Sequence, residues 1–238
     1  MKKIVLVIGF VLIATSALAM GELYASYSKR IKTTITIETP EGLITGTAVR
    51  EVSNSRAGLE LSWTQAIHNP IVRGEGVVIN LGERGVLFAT ISDQTHKDLY
   101  HAFPLPEKAE SSVEGIKHYE EKLRTGMRGP ISLEDYAEYT KIVYFKDITD
   151  PKTVALVWGN YKNYETRTAG LIDNFEETLG AGVHIVSVEA EVVDEPITFN
   201  NVDRYLGTGF WEKQKAWIQS IGIRERRNLT PLFKLKRG

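Results

Sequence analysis

The chain contains no cysteine, which excludes a thiol nucleophile, a zinc–thiolate site, an iron–sulfur cluster and a lipid anchor on an N-terminal Cys. Metal coordination would have to come from five histidines and the carboxylates. His96, Asp98 and His101 stand closest together, but they lack the H-E-x-x-H spacing and do not fall on one helix face. The segment reads as polar surface. His68, His118 and His184 are isolated and read as ordinary surface or core histidines, so no metal ligands are predicted.

Nucleophilic and nucleotide chemistry find no better support. A G-x-S-x-G elbow is absent. Gly74-Glu75-Gly76, Gly180-Ala181-Gly182 and Gly207-Thr208-Gly209 are each G-x-G without the third glycine or the Walker lysine, which leaves hairpins, caps and loops as their reading. Glu134 with Asp135, Asp147 with Asp150 and Glu176 with Glu177 are adjacent carboxylates. Acid–base work needs two such groups across a cleft with separated pKa values, and for Asp147 and Asp150 a side-chain-bonded turn explains the spacing. No catalytic residue and no cofactor is therefore assigned.

The elements that would position a site begin after a distinct leader. Lys2 and Lys3 precede an uncharged, mostly apolar run from Ile4 to Met20, the pattern of a secretory signal, and Ala17-Leu18-Ala19 supplies the small residues of a cleavage site. Residues 1–19 are expected to be a signal peptide or, if uncleaved, an N-terminal anchor helix. Either way residues 20–238 form one extracytoplasmic unit, periplasmic and either soluble or tethered to the inner membrane.

Within that unit, Ile31, Thr33, Ile35, Ile37 and Thr39 alternate with polar residues as in a half-buried strand, and Pro40-Glu41-Gly42 turns the chain into a second strand over Leu43–Val52. Further strands are expected over Leu59–Trp63, Val77–Asn80, Val86–Ile91 and Lys141–Lys146. Val183–Val193 changes apolar parity at Ile185 and Val186, which predicts a bulge. Helical spacing marks Ser112–Arg124, ended by Gly126, Gly129 and Pro130; Leu171, Ile172, Phe175 and Leu179 share a second helical stripe, capped by Gly180. Phe210, Trp211, Trp217, Ile218 and Ile221 share a third. An antiparallel β-meander followed by mixed helices and strands is an α+β fold.

Several segments together resemble a family of small bacterial exported or membrane-anchored proteins of uncharacterised activity. They are Ile35–Val52 (ITIETPEGLITGTAVREV), Val72–Val78 with Asn80-Leu81-Gly82, the F-x-D-x-x-D-P-K segment at Phe145–Lys152, and the D-E-P-x-T segment at Asp194–Thr198. The resemblance implies export and a shared architecture, carries no activity, and stops after Thr198.

Beyond Thr198 the charge reverses. Residues 210–238 carry eight Lys or Arg against Glu212 and Glu225, whereas residues 20–209 carry 19 basic and 28 acidic residues. Trp211, Trp217, Arg224, Arg226 and Arg227 are accordingly candidates for contact with anionic headgroups or a partner, the competing reading being a basic tail laid across an acidic body. Nucleic acid is not expected as a partner after export, and the basic cluster is short.

The function these residues favour is a non-catalytic interaction or structural protein of the envelope, with an envelope protein, or the membrane through an uncleaved N-terminus, as its partner. A hydrolase of unrecognised type, or a binder of a small hydrophobic ligand lined by Trp63, Trp158 and Tyr161, are the other readings. N-terminal sequencing and membrane fractionation separate the two fates of the leader: a start at Met20 means release, and an intact Met1 in a salt-resistant membrane fraction means tethering.

Overall fold

The structure, a computed structural model, describes residues 24–57, 70–106, 109–162 and 169–237. The leader with Ala17 and Ala19, the strand expected over Leu59–Trp63, and His68 lie outside them. Among the described residues no helix is long and apolar enough to cross a membrane.

The fold is α+β, built on two antiparallel sheets. Strands β1 (Tyr24–Thr39) and β2 (Gly42–Ala57) form a long hairpin whose turn is closed by Thr39 Oγ1 donating to the Gly42 carbonyl at 2.9 Å. Gly42 sits at φ 128°, a region that costs a side-chain-bearing residue energy. The first sheet takes the order β11-β3-β2-β1-β10-β6, with β3 at Ile71–Glu75, β6 at Arg128–Ile131, β10 at His184–Val193 and β11 at Lys236–Arg237. The expected bulge is present: Thr36 pairs with Ser187 and Ile37 with Ile185, which turns Val186 outward.

The second sheet, β4-β5-β7-β8-β9, comprises Val78–Asn80, Val86–Ala89, Ile142–Phe145, Val154–Lys162 and Ala169–Asp173. The chain crosses between sheets at Gly76-Val77. There a Cβ on residue 76 would collide with the Ala89 carbonyl, so only glycine permits the crossing.

Helices α1 (Lys97–Ala102), α2 (Val113–Lys122) and α3 (Leu133–Tyr139) pack with both sheets around the larger core, which includes Ile31, Ile35, Val188, Leu87, Leu99 and Trp158. Ser112 and Ser132 start α2 and α3 by accepting the N–H groups of Gly115 and Asp135. A smaller core on the other face of the second sheet joins Phe88, Val143 and Phe145 to α5 (Asn201–Leu206), α6 (Phe210–Ser220) and the buried Leu232, Phe233 and Leu235.

Two expectations need correction. Leu171 and Ile172 belong to β9, and α4 spans only Phe175–Leu179. Their helical spacing is overridden because residues 169–173 pair with β8 and the Asn174 N–H is taken by the Val157 carbonyl. Nor is α2 ended by Gly126, Gly129 and Pro130: it stops at Lys122, and Gly129-Pro130 lie in edge strand β6, where a missing proline N–H is tolerated.

One polar group sits inside the larger core. Arg50 on β2 and Asp98 on α1 are each 1% exposed, and Arg50 Nη1 lies 2.8 Å from Asp98 Oδ2. Thr33 donates to the same oxygen at 2.6 Å, Tyr139 to Oδ1 at 3.0 Å, and Arg50 Nε to the Glu75 carbonyl at 3.0 Å. Burial, then the Asp98 charge, push the Tyr139 hydroxyl's pKa up, so it remains a donor. Removing one partner strands the other charge in the core. Asp98→Ala is expected to cost about 3–5 kcal/mol in urea denaturation, and Arg50→Met combined with Asp98→Leu markedly less.

Candidate functional site

Whatever the molecule presents at its C-terminal side depends on how the last 45 or so residues are fastened down. After β10 the D-E-P-x-T segment crosses the first sheet, and Thr198 exchanges two hydrogen bonds with the Val49 backbone, at 2.8 and 2.9 Å. The chain then meets Glu75, which is 0% exposed, and whose carboxylate accepts the N–H groups of Asn201 (2.9 Å) and Val202 (3.1 Å) at the start of α5. Burial raises the Glu75 pKa above the ordinary carboxylate value, against the lowering effect of those two bonds.

The end of the chain is threaded into the body. The Leu235 carbonyl accepts from Gly76 N–H and the Lys234 carbonyl from Ile91 N–H, and Leu235 is fully buried. Lys236 bonds both Asp203 oxygens, at 2.8 and 2.9 Å, and lies 4.9 Å above the Trp211 ring. Arg237 pairs with Asp93.

The candidate contact residues are thereby placed. Trp211 donates its indole N–H to Asp203 at 2.7 Å, and Trp217 meets Phe233 edge-on at 5.8 Å; both rings are half-buried against the smaller core. Arg226 is turned back onto the Ile218 and Gln219 carbonyls. Arg224 and Arg227, on α7 (Ile223–Leu229), are exposed.

Two clefts flank these helices. The first, of about 500 Å³, lies between the β8–β9 hairpin and α7, with Lys141, Tyr161, Gly170, Arg227 and Pro231 among its walls. Burial and the nearby Lys234 charge both lower the Lys141 pKa. Neither Lys141 nor Arg227 has an ion pair among the described residues, and Glu138 at the rim is matched with Lys97 at 3.9 Å. The second cleft, of about 560 Å³, runs between α6 and the Asp147–Pro151 turn, with Lys152, Lys213 and Trp217 in its walls.

The residues first weighed for chemistry do not converge. Asp98 is turned inward to Arg50, which corrects the reading of its segment as polar surface. His96 bonds the Asp93 carbonyl at 2.7 Å, with burial lowering its pKa, while His101 stacks on Tyr139 at 5.8 Å. His184 pairs with Glu38 at 3.1 Å, and His118 is exposed. No group of three potential metal ligands forms among the described residues.

Asp147 and Asp150 make the expected turn, accepting from the Thr149 and Lys152 N–H groups, and Trp158 is core rather than cleft wall. Ser26 and Lys29 have the S-x-x-K spacing of some acyl-transfer enzymes, but in a strand that spacing puts them on opposite faces. Lys141 was not foreseen, because a lysine beside an apolar strand is common and only folding brings Arg227 to it. Comparison with known families, curated proteins and solved structures finds no match to this chain.

The clasp at Glu75 generates a pH dependence. Its folded pKa is raised, so its contribution to stability is fully present below the unfolded carboxylate pKa and is lost as pH rises through the folded value. The stability difference between Glu75→Gln and wild type should therefore move in the variant's favour from about pH 4 to neutral. Glu75→Ala, which leaves two helix N–H groups unbonded, should be about 1–2 kcal/mol less stable than Glu75→Gln across the same range, read by urea denaturation.

Proposed function

We propose that this is a non-catalytic interaction protein of the cell envelope, delivered by its N-terminal segment, that takes an extended segment of a partner protein onto the free edge of β9. The observation that carries this reading is the contrast among sheet edges. At β4, Gly46 of β2 packs directly against Val78 and Ile79. At β6, Pro130 removes a donor and Gly129 rests on the Ala102 backbone. Strand β11 is two residues long. By contrast, β9 reads Ala-Gly-Leu-Ile-Asp, is exposed at four of its five positions, and shows Leu171 57% exposed.

Such an edge holds a row of main-chain donors and acceptors with no proline or lysine in the strand and, among the described residues, no further strand paired to it. Strand addition draws its affinity from those backbone groups and its specificity from the side chains alongside, which favours an apolar residue next to Leu171.

The test is site-specific photo-cross-linking of the full chain in a bacterial host, with benzoylphenylalanine in place of Asp173. A discrete heterologous adduct is expected, suppressed at least about fivefold by Leu171→Lys, a surface change that should alter stability by no more than about 0.5 kcal/mol. The same adduct from a cross-linker at the remote, exposed Leu43 would overturn the reading, as would insensitivity to Leu171→Lys. An adduct of twice the chain mass would reassign the edge to self-association.

A further inference from the structure

We propose that the cleft between the β8–β9 hairpin and α7 binds a small multivalent anion, one carrying two or more carboxylate or phosphate groups. This inference is independent of strand addition at β9.

The cleft arises because β8 runs on past β7. Ile142 pairs with Trp158, and Asn160, Tyr161 and Lys162 continue beyond that point beside β9. Two elements close the space. On one side the chain turns from α3 into β7 and carries Lys141 to the cleft; on the other α7 brings Arg227. A volume of about 500 Å³ is in the range of small-molecule sites.

Charge argues for the class of ligand. Among the described residues, the titratable groups lining the cleft are Lys141, Arg227, Tyr161, Glu138 and Lys162, the last already engaged in an interaction of its own, with Lys234 acting on Lys141 from nearby. Glu138, the one carboxylate among the described lining residues, also lies 3.9 Å from Lys97, so cations outnumber it at the cleft. Lys141 is partly desolvated and repelled by Lys234, and both effects lower its pKa. An anion placed there supplies the missing counter-charge. Arg227 adds a planar fork suited to paired oxygens, and Lys141 a point charge. The Tyr161 ring gives the body of the ligand a surface to rest on.

The second cleft is a less favourable candidate for the same chemistry. Asp150 shares its wall and Lys213 already donates to the Thr149 carbonyl at 3.1 Å.

The experiment uses the full chain, with pyrophosphate and citrate as probes and chloride holding ionic strength constant. Titration is followed calorimetrically, and by NMR of isotopically dimethylated lysines with the Lys141 resonance assigned by its loss in Lys141→Gln. Saturable binding with Kd below about 1 mM is expected, together with an upward shift of the Lys141 pKa on binding. Arg227→Gln and Lys141→Gln should each weaken binding at least about tenfold, Lys141→Arg should keep most of it, and Lys215→Gln on the exposed side of α6 should change nothing.

Among the described residues neither the Lys141 nor the Arg227 side chain has an ion pair or hydrogen bond, so these variants should fold, and circular dichroism checks that they do. Non-saturating titration, equal loss in Lys215→Gln, or wild-type binding by both Gln variants would each overturn the proposal. Leu171→Lys should leave pyrophosphate binding intact, so this site and the β9 edge stand or fall separately.

Discussion

Two charges taken out of water organise the larger core. An isolated Arg50 or Asp98 would be too costly to bury, so each requires the other, and the pair requires donors and acceptors for its remaining valences. Those come from three other elements: Thr33 on β1, the Glu75 carbonyl on β3 and Tyr139 on α3. Hydrophobic burial around them is non-directional and supplies most of the stabilisation. The ion pair adds direction, because its hydrogen bonds fix α1 through Asp98 and α3 through Tyr139 relative to the first sheet.

Glu75 extends that arrangement to the rest of the molecule. Its carbonyl receives Arg50 inside the larger core while its carboxylate holds the first turn of α5 over the smaller one. One residue thus joins the two cores through its backbone on one side and its side chain on the other. The C-terminal segment completes the connection, with the Leu235 and Lys234 carbonyls bonded to Gly76 and Ile91 on either side of the crossing between sheets. Helices α5, α6 and α7 are therefore held by polar contacts at both ends and by apolar packing between them.

The presented surfaces lie where this packing ends. Strand β9 is an edge of the second sheet exposed at four of its five positions, and the cleft beside it opens where β8 outruns β7. Trp211 and Trp217 are half-buried against the smaller core, with Trp211 tied to Asp203. The reversal of charge along the chain is partly absorbed inside the fold, since Lys236 and Arg237 meet Asp203 and Asp93. Arg224 and Arg227 remain at the surface, and Arg227 lines the same cleft as Lys141.

The sequence by itself determined what depends on near neighbours. Alternation of β-branched residues, the Pro40-Glu41-Gly42 turn, the parity change at Ile185 and Val186, the Ser112 start of α2 and the Asp147–Asp150 turn all rest on contacts within a strand pair or a helical turn, and each was legible. Elements whose identity depends on a partner were not. Residues 171–172 carry helical spacing yet pair with β8, and Pro130 reads as a breaker yet lies on an edge. Tertiary structure alone decided that Asp98 is buried against Arg50, 48 positions away, and that Lys141 faces Arg227 across a cleft. Charge pairing and desolvation depend on distance in space, and nothing in the linear order of residues encodes that distance directly.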